Sequence, residues 1–450
     1  MSPPAPADKP VPASSQDVSW SLFCSVIDNF GDMGVCWRLA RQLTQEYGFT
    51  VTLWIDDLHA FSRFLGKEWV AAEVQREFGV CVRHWRLPWK ESAFVDATIA
   101  ESSVVIEAFA CELPASVITA MARQARPPLW INLEYLSAES WVAGCHQLQS
   151  LVSVQVDRPE GDDAPALVTL SKTFFFPGFT TGTGGLLREQ ELLSNHAAWQ
   201  RDEQASRRQL LAQLGLPDSC ADIGLWISVF TYESAAFASW LRALSEAAQP
   251  TFCLVPEGRA LTSITAFLGR SEAPAVGDLV CLGALTLLVI PFLSQDNYDL
   301  LLSVCDLNLV RGEDSFVRAQ WAGKPLIWHI YPQQNDVHME KLDAFLALYE
   351  DAVEAGKPAE VDTLRQFCRV WNLGEDCREL WHHLRPQLPG LREQAGKWRH
   401  HLVQLPDLAE NLVQFYRAGF GSSGDRSATS PDIAATDPNF NVGPGPSNFE

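Results

Sequence analysis

DLNLVRGEDSFVRAQWAGKPLIWHIYPQ, running from Asp306 to Gln333, decides the fold. Leu307 to Val310 is an apolar run of the length expected for a strand buried in a parallel sheet. It ends on a charged loop, Arg311-Gly312-Glu313-Asp314-Ser315. Phe316, Val317, Gln320 and Trp321 then recur at helical spacing, Gly323-Lys324-Pro325 stops the helix, and Leu326 to Tyr331 reads as the next strand. The unit is βαβ, with a glycine loop between the carboxyl end of a strand and the amino end of a helix. Ligands of open α/β sheets bind there, because free backbone N–H groups and the helix dipole attract anions such as phosphates. Capping alone would account for Asp314 or Ser315. It does not account for an arginine and a glutamate flanking the same glycine.

The same alternation precedes it. Gly224 to Tyr232, Thr251 to Val255 and Leu285 to Pro291 read as strands, with helices over Glu233–Ala247 and Arg259–Leu268. The last of these strands leads into Phe292-Leu293-Ser294-Gln295-Asp296-Asn297-Tyr298. After Tyr331 only helices are expected, ending with Leu402–Phe420. The first half repeats the scheme. Strands are expected at Val18–Ile27, Thr50–Ile55, Val80–Trp85, Val104–Phe109 and Leu129–Leu133, with helices near Asp57–Phe78 and Pro114–Arg123. Gln147–Arg158 and Val168–Phe176 add β-prone segments. The loop Thr180–Gly185 reads as a hinge or an active-site wall, and a polar helix over Glu189–Leu214 carries the chain into its second half.

Between the first strand and first helix lies Asp28-Asn29-Phe30-Gly31-Asp32-Met33-Gly34. Val35, Leu39, Leu43 and Tyr47 follow at helical spacing, with Gly48 as C-cap. Only Gly31 and Gly34 match the dinucleotide fingerprint, so a dinucleotide site is weakly supported. The two carboxylates repel phosphate and suit a neutral sugar, a cation or a proton to be removed. The alternative is that Asp28 ends the strand and Asp32 caps the helix.

At 450 residues, two domains are the default. Residues 1–17 are Pro/Ser/Ala-rich without a signal-peptide core, and 421–450 are Gly/Ser/Asp/Pro/Asn-rich; both read as disordered tails. Residues 18–195 read as a first domain, completed by C-terminal helices 390–420, and 215–385 as a second. No run approaches the ~20 apolar residues of a membrane span. Eleven cysteines without CxxC spacing fit a reducing cytoplasm and no zinc site. A formal charge of −21 argues against nucleic-acid or anionic-membrane partners.

Two successive α/β domains place the carboxyl ends of both sheets across a cleft. The second domain offers Arg311 and the 313–315 amides for phosphate, Phe292 and Tyr298 for a base, and Gln295 as a polar handle. The first offers paired carboxylates opposite. That is a glycosyl-transfer layout.

The strings DNFGDMG at 28–34, WINLEYLSAESW at 130–141, FFPGFTTGTGGLLRE at 175–189 and the run from Phe292 to Gln333 together resemble the bacterial EarP family, protein-arginine rhamnosyltransferases of elongation factor P. The resemblance covers roughly residues 18–420. It implies a GT-B fold of two Rossmann-like domains facing across a cleft, closed by C-terminal helices. It implies dTDP-β-L-rhamnose as donor, inversion at the anomeric carbon, and an arginine of elongation factor P as acceptor, with no cofactor and no metal. Carried over by position, the family's paired aspartates fall on Asp28 and Asp32 and its essential glutamate on Glu313. Its donor-site residues match Tyr232, Phe292, Gln295, Tyr298, Arg311, Asp314, Ser315 and Tyr331, with Phe230 a further match beside Tyr232. Asn29, Phe30 and Gly31 complete the donor side, and Tyr298 stands where relatives can carry a phenylalanine.

A guanidinium has a pKa above ~12 and is a poor nucleophile. A carboxylate pair can bind its N–H donors and take a proton as the C–N bond forms. On this reading Asp32 is the base and Asp28 orients the guanidinium. Glu313 acts electrostatically or holds the sugar. Two alternatives remain at this level: a GT-B enzyme with another nucleotide sugar or acceptor, and a non-catalytic nucleotide-binding partner of the translation machinery.

Overall fold

The computed structural model describes residues 18–26, 31–65, 74–85, 98–156, 166–333, 337–352 and 359–420. Asp28, Asn29 and Phe30, and both tails, lie outside these residues.

Eight strands form the first sheet: β1 Ser19–Cys24, β2 Thr50–Ile55, β3 Val74–Glu77, β4 Val80–His84, β5 Val104–Ala108, β6 Leu129–Leu133, β7 Gln149–Val156 and β8 Ala166–Phe175. Their order is β3-β4-β2-β1-β5-β6-β8-β7. The six inner strands are parallel, and the two edges, β3 and β7, are antiparallel to their neighbours. Central strands read as unbroken apolar runs because helices cover both faces; β6 is buried at all of Leu129–Leu133.

The second sheet has six strands: β9 Leu225–Val229, β10 Thr251–Pro256, β11 Leu279–Leu282, β12 Leu285–Ile290, β13 Leu307–Arg311 and β14 Leu326–His329. The order is β11-β12-β10-β9-β13-β14, parallel except for the edge strand β11. The deciding stretch folds as read, with β13, a helix Asp314–Ala322 and β14. Gly323 ends the helix in the left-handed region at φ 60°.

Three expectations need correction. Of the helix foreseen over 57–78, Leu58–Leu65 is helical among the described residues, and the far end at Val74–Glu77 is the edge strand β3. The polar helix over 189–214 is two helices, Leu192–Arg201 and Glu203–Gln213, because the Asp202 carboxylate accepts from the Ala205 N–H and starts a new one. The last helix begins at Leu408; Leu402 belongs to the helix Leu388–Val403 before it. The glycine loop 180–185, expected as a hinge or an active-site wall, is exposed at Thr180–Gly182 and packed at Thr183–Gly185. A Cβ on Gly185 would lie 2.3 Å from the Pro406 carbonyl oxygen, and Asn411 Nδ2 donates to the Gly184 carbonyl at 2.9 Å.

That packed contact carries the chain back to the first domain. Leu408, Ala409, Leu412 and Val413 of the last helix join the core around β1 and β2, whereas Leu391, Trp398 and Leu402 of the preceding helix pack into the second core. Loops at the carboxyl ends of both sheets then meet along one seam. Phe292 lies 6.2 Å from Phe64 by ring centroids, and Leu136 N–H reaches Glu313. Two Rossmann-like halves facing across such a seam are the GT-B architecture.

Candidate active site

The site grows from the turn between β13 and the helix Asp314–Ala322. Gly312 takes φ 61°, a conformation that suits glycine, and its carbonyl accepts from Trp328 Nε1 at 3.0 Å. Ser315 Oγ accepts from the Arg311 N–H at 3.2 Å and donates to the Arg311 carbonyl. This hydroxyl, foreseen as a donor contact, closes the turn. Glu313 stands at the N-cap position but makes no capping bond, so its carboxylate is turned elsewhere.

The turn aims Arg311 at a cleft. Its guanidinium carbon sits 4.7 Å from the ring centroids of both Phe230 and Tyr232. Nη1 is buried without a hydrogen-bond partner. Aromatic faces hold a cation by the ring quadrupole without using its N–H donors, which leaves that nitrogen for an anion. The cleft has an unfilled, solvent-open space of ≈ 650 Å³. Gly31, Phe292, Gln295, Tyr298, Arg311, Asp314 and Ser315 line it, as the sequence led one to expect. Gln295 Nε2 donates to the Gly34 carbonyl at 3.3 Å, and its Oε1 is buried without a partner.

Tyr232 and Tyr331 are not in this lining. Tyr232 is 1% exposed and forms the platform under Arg311, while Tyr331, 43% exposed, stands 5.5 Å from it, edge-on. Phe292 and Tyr298 both line the cleft, but each already leans on a neighbour, Phe292 on Phe64 and Tyr298 on Phe230 at 5.8 Å. Burial pushes the Tyr298 hydroxyl far above its ordinary range, so it stays neutral.

The first domain contributes more than its aspartates. Asp32 lies in the first turn of the helix Gly31–Tyr47 and is buried. Two residues on, Gly34 lets the second domain approach: a Cβ there would come within 3.2 Å of the Asp314 carboxyl. The glycine foreseen as half of a phosphate fingerprint is a contact glycine between domains. Arg38, which nothing in the sequence singles out, lines the cleft and is 2% exposed. Its Nε donates to Asp314 Oδ1 at 3.0 Å, Nη1 to Glu189 at 3.2 Å and Asp299 at 3.3 Å, and Nη2 to Asp299 at 3.4 Å. Arg318 adds bonds to Asp299 at 2.9 and 2.7 Å and to Glu189 at 2.5 Å.

Glu313 is a strongly perturbed carboxyl at the seam. Oε2 accepts from Leu136 N–H at 3.1 Å, and Oε1 lies 3.7 Å from Lys341 Nζ. Burial pushes the group up to about 7; Lys341 and the Leu136 amide oppose this, and the charge of Asp32 adds to it. Neither Glu313 nor Asp32 lines the cleft itself, but the neighbours Gly312 and Asp314 do, and a carboxyl poised near neutrality beside a cleft is a mark of a functional site. Among the described residues no cluster of ligating side chains could hold a metal ion, and no helix is long and apolar enough to cross a membrane.

The pattern of the EarP family, described as Elongation-Factor P (EF-P) rhamnosyltransferase, matches residues 20–417. The chain belongs to that family. A protein-arginine rhamnosyltransferase of Pseudomonas aeruginosa is 48% identical over 88% of this chain and 98% of its own length. One from Neisseria meningitidis serogroup B is 36% identical over 88% and 96%. A solved structure described as the basis for EarP-mediated arginine glycosylation of translation elongation factor EF-P aligns with TM-score 0.59 at 34% identity. It covers 89% of this chain and 99% of that one.

Proposed function

We propose that this EarP-family chain transfers L-rhamnose from dTDP-β-L-rhamnose to an arginine side chain of elongation factor P, with inversion. The observation that carries the reading is the meeting of three groups on one seam. They are Arg311 with an unpartnered guanidinium nitrogen, Glu313 with its raised carboxyl, and Asp32 close enough to raise it. Arg311 and the amide end of the helix Asp314–Ala322 bind the diphosphate, the lining aromatics hold the base, and Glu313 holds or electrostatically supports the sugar.

The acceptor guanidinium enters from the first domain, where Asp28 orients it and Asp32 takes a proton. One nitrogen forms a bond to the anomeric carbon as the bond from that carbon to the diphosphate oxygen breaks. The electron pair leaves with dTDP. Because Arg311 and the helix amides carry the developing charge, transfer is expected to persist in EDTA.

Intact-mass analysis of elongation factor P after incubation with dTDP-rhamnose tests the reading. A gain of one deoxyhexosyl residue, lost when the target arginine is replaced by lysine, supports it. Equal transfer from other nucleotide sugars would point to a different donor. An unmodified acceptor despite measurable dTDP binding would make the chain a non-catalytic partner. The configuration of the product, read by NMR, decides inversion.

A further inference from the structure

Glu313 is gripped by groups that no donor or acceptor supplies. It belongs to the second domain, yet its Oε2 is held by a backbone amide of the first, Leu136 N–H at 3.1 Å. Its other oxygen faces Lys341 Nζ at 3.7 Å, from the helix Val337–Ala352. The ammonium is placed in turn. It lies 5.9 Å from the ring centroid of Tyr135, which is stacked on Phe109 at 4.6 Å and 21°. Phe109 has φ 55°, and Ala110 and Glu112 follow at 52° and 54°. Three non-glycine residues in the left-handed region within one loop form a strained arrangement, which persists only where surrounding structure over-determines it. The loop leaves the carboxyl end of β5 and brings Phe109 under Tyr135.

We propose that Lys341 is a positioning residue for Glu313: held over Tyr135, its ammonium fixes the carboxylate against the Leu136 amide. The inference rests on the role given to Glu313 above. The charged groups that act most strongly on Glu313 are Lys341 from the helix Val337–Ala352 and Asp32 from the first helix. One stabilises the carboxylate and the other opposes it. Burial alone would leave this carboxyl largely protonated at neutral pH, unable to work as an anion. A single ammonium that does not close into a short bond offsets burial without locking the group. Glu134 shares this cation: burial raises its carboxyl, while Lys172 and Lys341 pull it back. Lys341 therefore serves the acidic wall on both sides of the seam.

The test is the pH dependence of kcat/KM for transfer in wild type, Lys341→Met, Lys341→Arg and Glu313→Gln, with the double variant Glu313→Gln/Lys341→Met. Removing the ammonium should move the acidic limb alkaline by at least ~1 pH unit, the Coulombic share of one cation at this distance even under water-like screening. Lys341→Arg should restore the limb, and in the Glu313→Gln background Lys341→Met should move nothing further. An unchanged limb in Lys341→Met, or an equal shift in both backgrounds, overturns the proposal. The carboxyl carbon of Glu313, followed by NMR across pH in wild type and Lys341→Met, reads the same ionisation without substrates. If wild type fails to modify elongation factor P, the functional reading falls. The NMR midpoint then still decides for Lys341 by shifting, or against it by staying put.

Discussion

The domain seam buries carboxylates at two places and treats them oppositely. At one end Asp299 and Glu189 are bound by two guanidinia, Arg38 and Arg318, through bonds of 2.5 to 3.4 Å. Burial there works to raise Glu189, but Arg318 and then Arg38 overcome it and hold the group at about 2; Asp299 is lowered by the same pair. At the other end burial wins. Glu313 has one ammonium at 3.7 Å and one amide, and rests at about 7. Asp314 sits between the two regimes. It is raised by burial despite Arg38, because three carboxylates share two arginines. The difference teaches what each end is for. Bidentate guanidinia make a locked joint whose charges do not change near neutrality. A lone ammonium leaves a carboxyl that can respond to a sugar, a proton or an incoming cation.

The largest effect is expected at the poised end. Asp32→Asn keeps the size of the side chain but cannot take the acceptor's proton, so kcat should fall by ~10²–10⁴-fold with donor affinity within a few-fold of wild type. Losing the Asp32 charge should also lower the Glu313 midpoint, since that charge helps raise it. Near-normal single-turnover transfer by Asp32→Asn would hand the base role to another carboxylate of the seam. The next effect is at the locked end. Arg318→Leu leaves the buried Asp299 and the quarter-exposed Glu189 with only Arg38, and removal of one partner from such a network costs about 3–5 kcal/mol. Urea denaturation should show the loss, and a change under about 1 kcal/mol would mean that the joint is not what closes the seam.

Much of this architecture was legible in the chain. Thr50–Ile55 and Leu129–Leu133 read as buried strands because central parallel strands carry apolar residues on both faces. The antiparallel edges β3 and β11 were missed. Val74–Glu77 is four residues with two charges, and Leu279–Leu282 is no longer, so neither shows a period. At the site, the loop 311–315 and the residues lining the cleft could be found from the glycine turn and its aromatic neighbours. The ion joint could not. Arg38, Glu189, Asp299 and Arg318 are spread over nearly three hundred positions. Each alone looks like a solvated helix or loop charge, and only tertiary closure pairs them. Lys341 escaped for the same reason, because its partner lies on another element and nothing local marks it.

The smallest effect separates the two ends by sign. Glu313 has a folded pKa raised from the usual 4.5 to about 7. Its contribution to stability is therefore complete below pH 4.5 and is lost as pH rises through 7, where the fold must hold a buried charge. Glu189 is depressed to about 2, so its contribution is present above pH 4.5 and lost as pH falls toward 2. Replacing each by glutamine removes the titration and should push stability in opposite directions. Glu313→Gln should match wild type near pH 4.5 and become the more stable protein by pH 8, by up to ~3 kcal/mol. Glu189→Gln should be less stable at pH 7, with the gap closing on acidification as wild type loses its own advantage. Urea midpoints for the three proteins from pH 3 to 8 give the answer. Parallel curves for wild type and Glu313→Gln would mean that Glu313 is as firmly ionised as Glu189, and the seam would then have two locked ends rather than one.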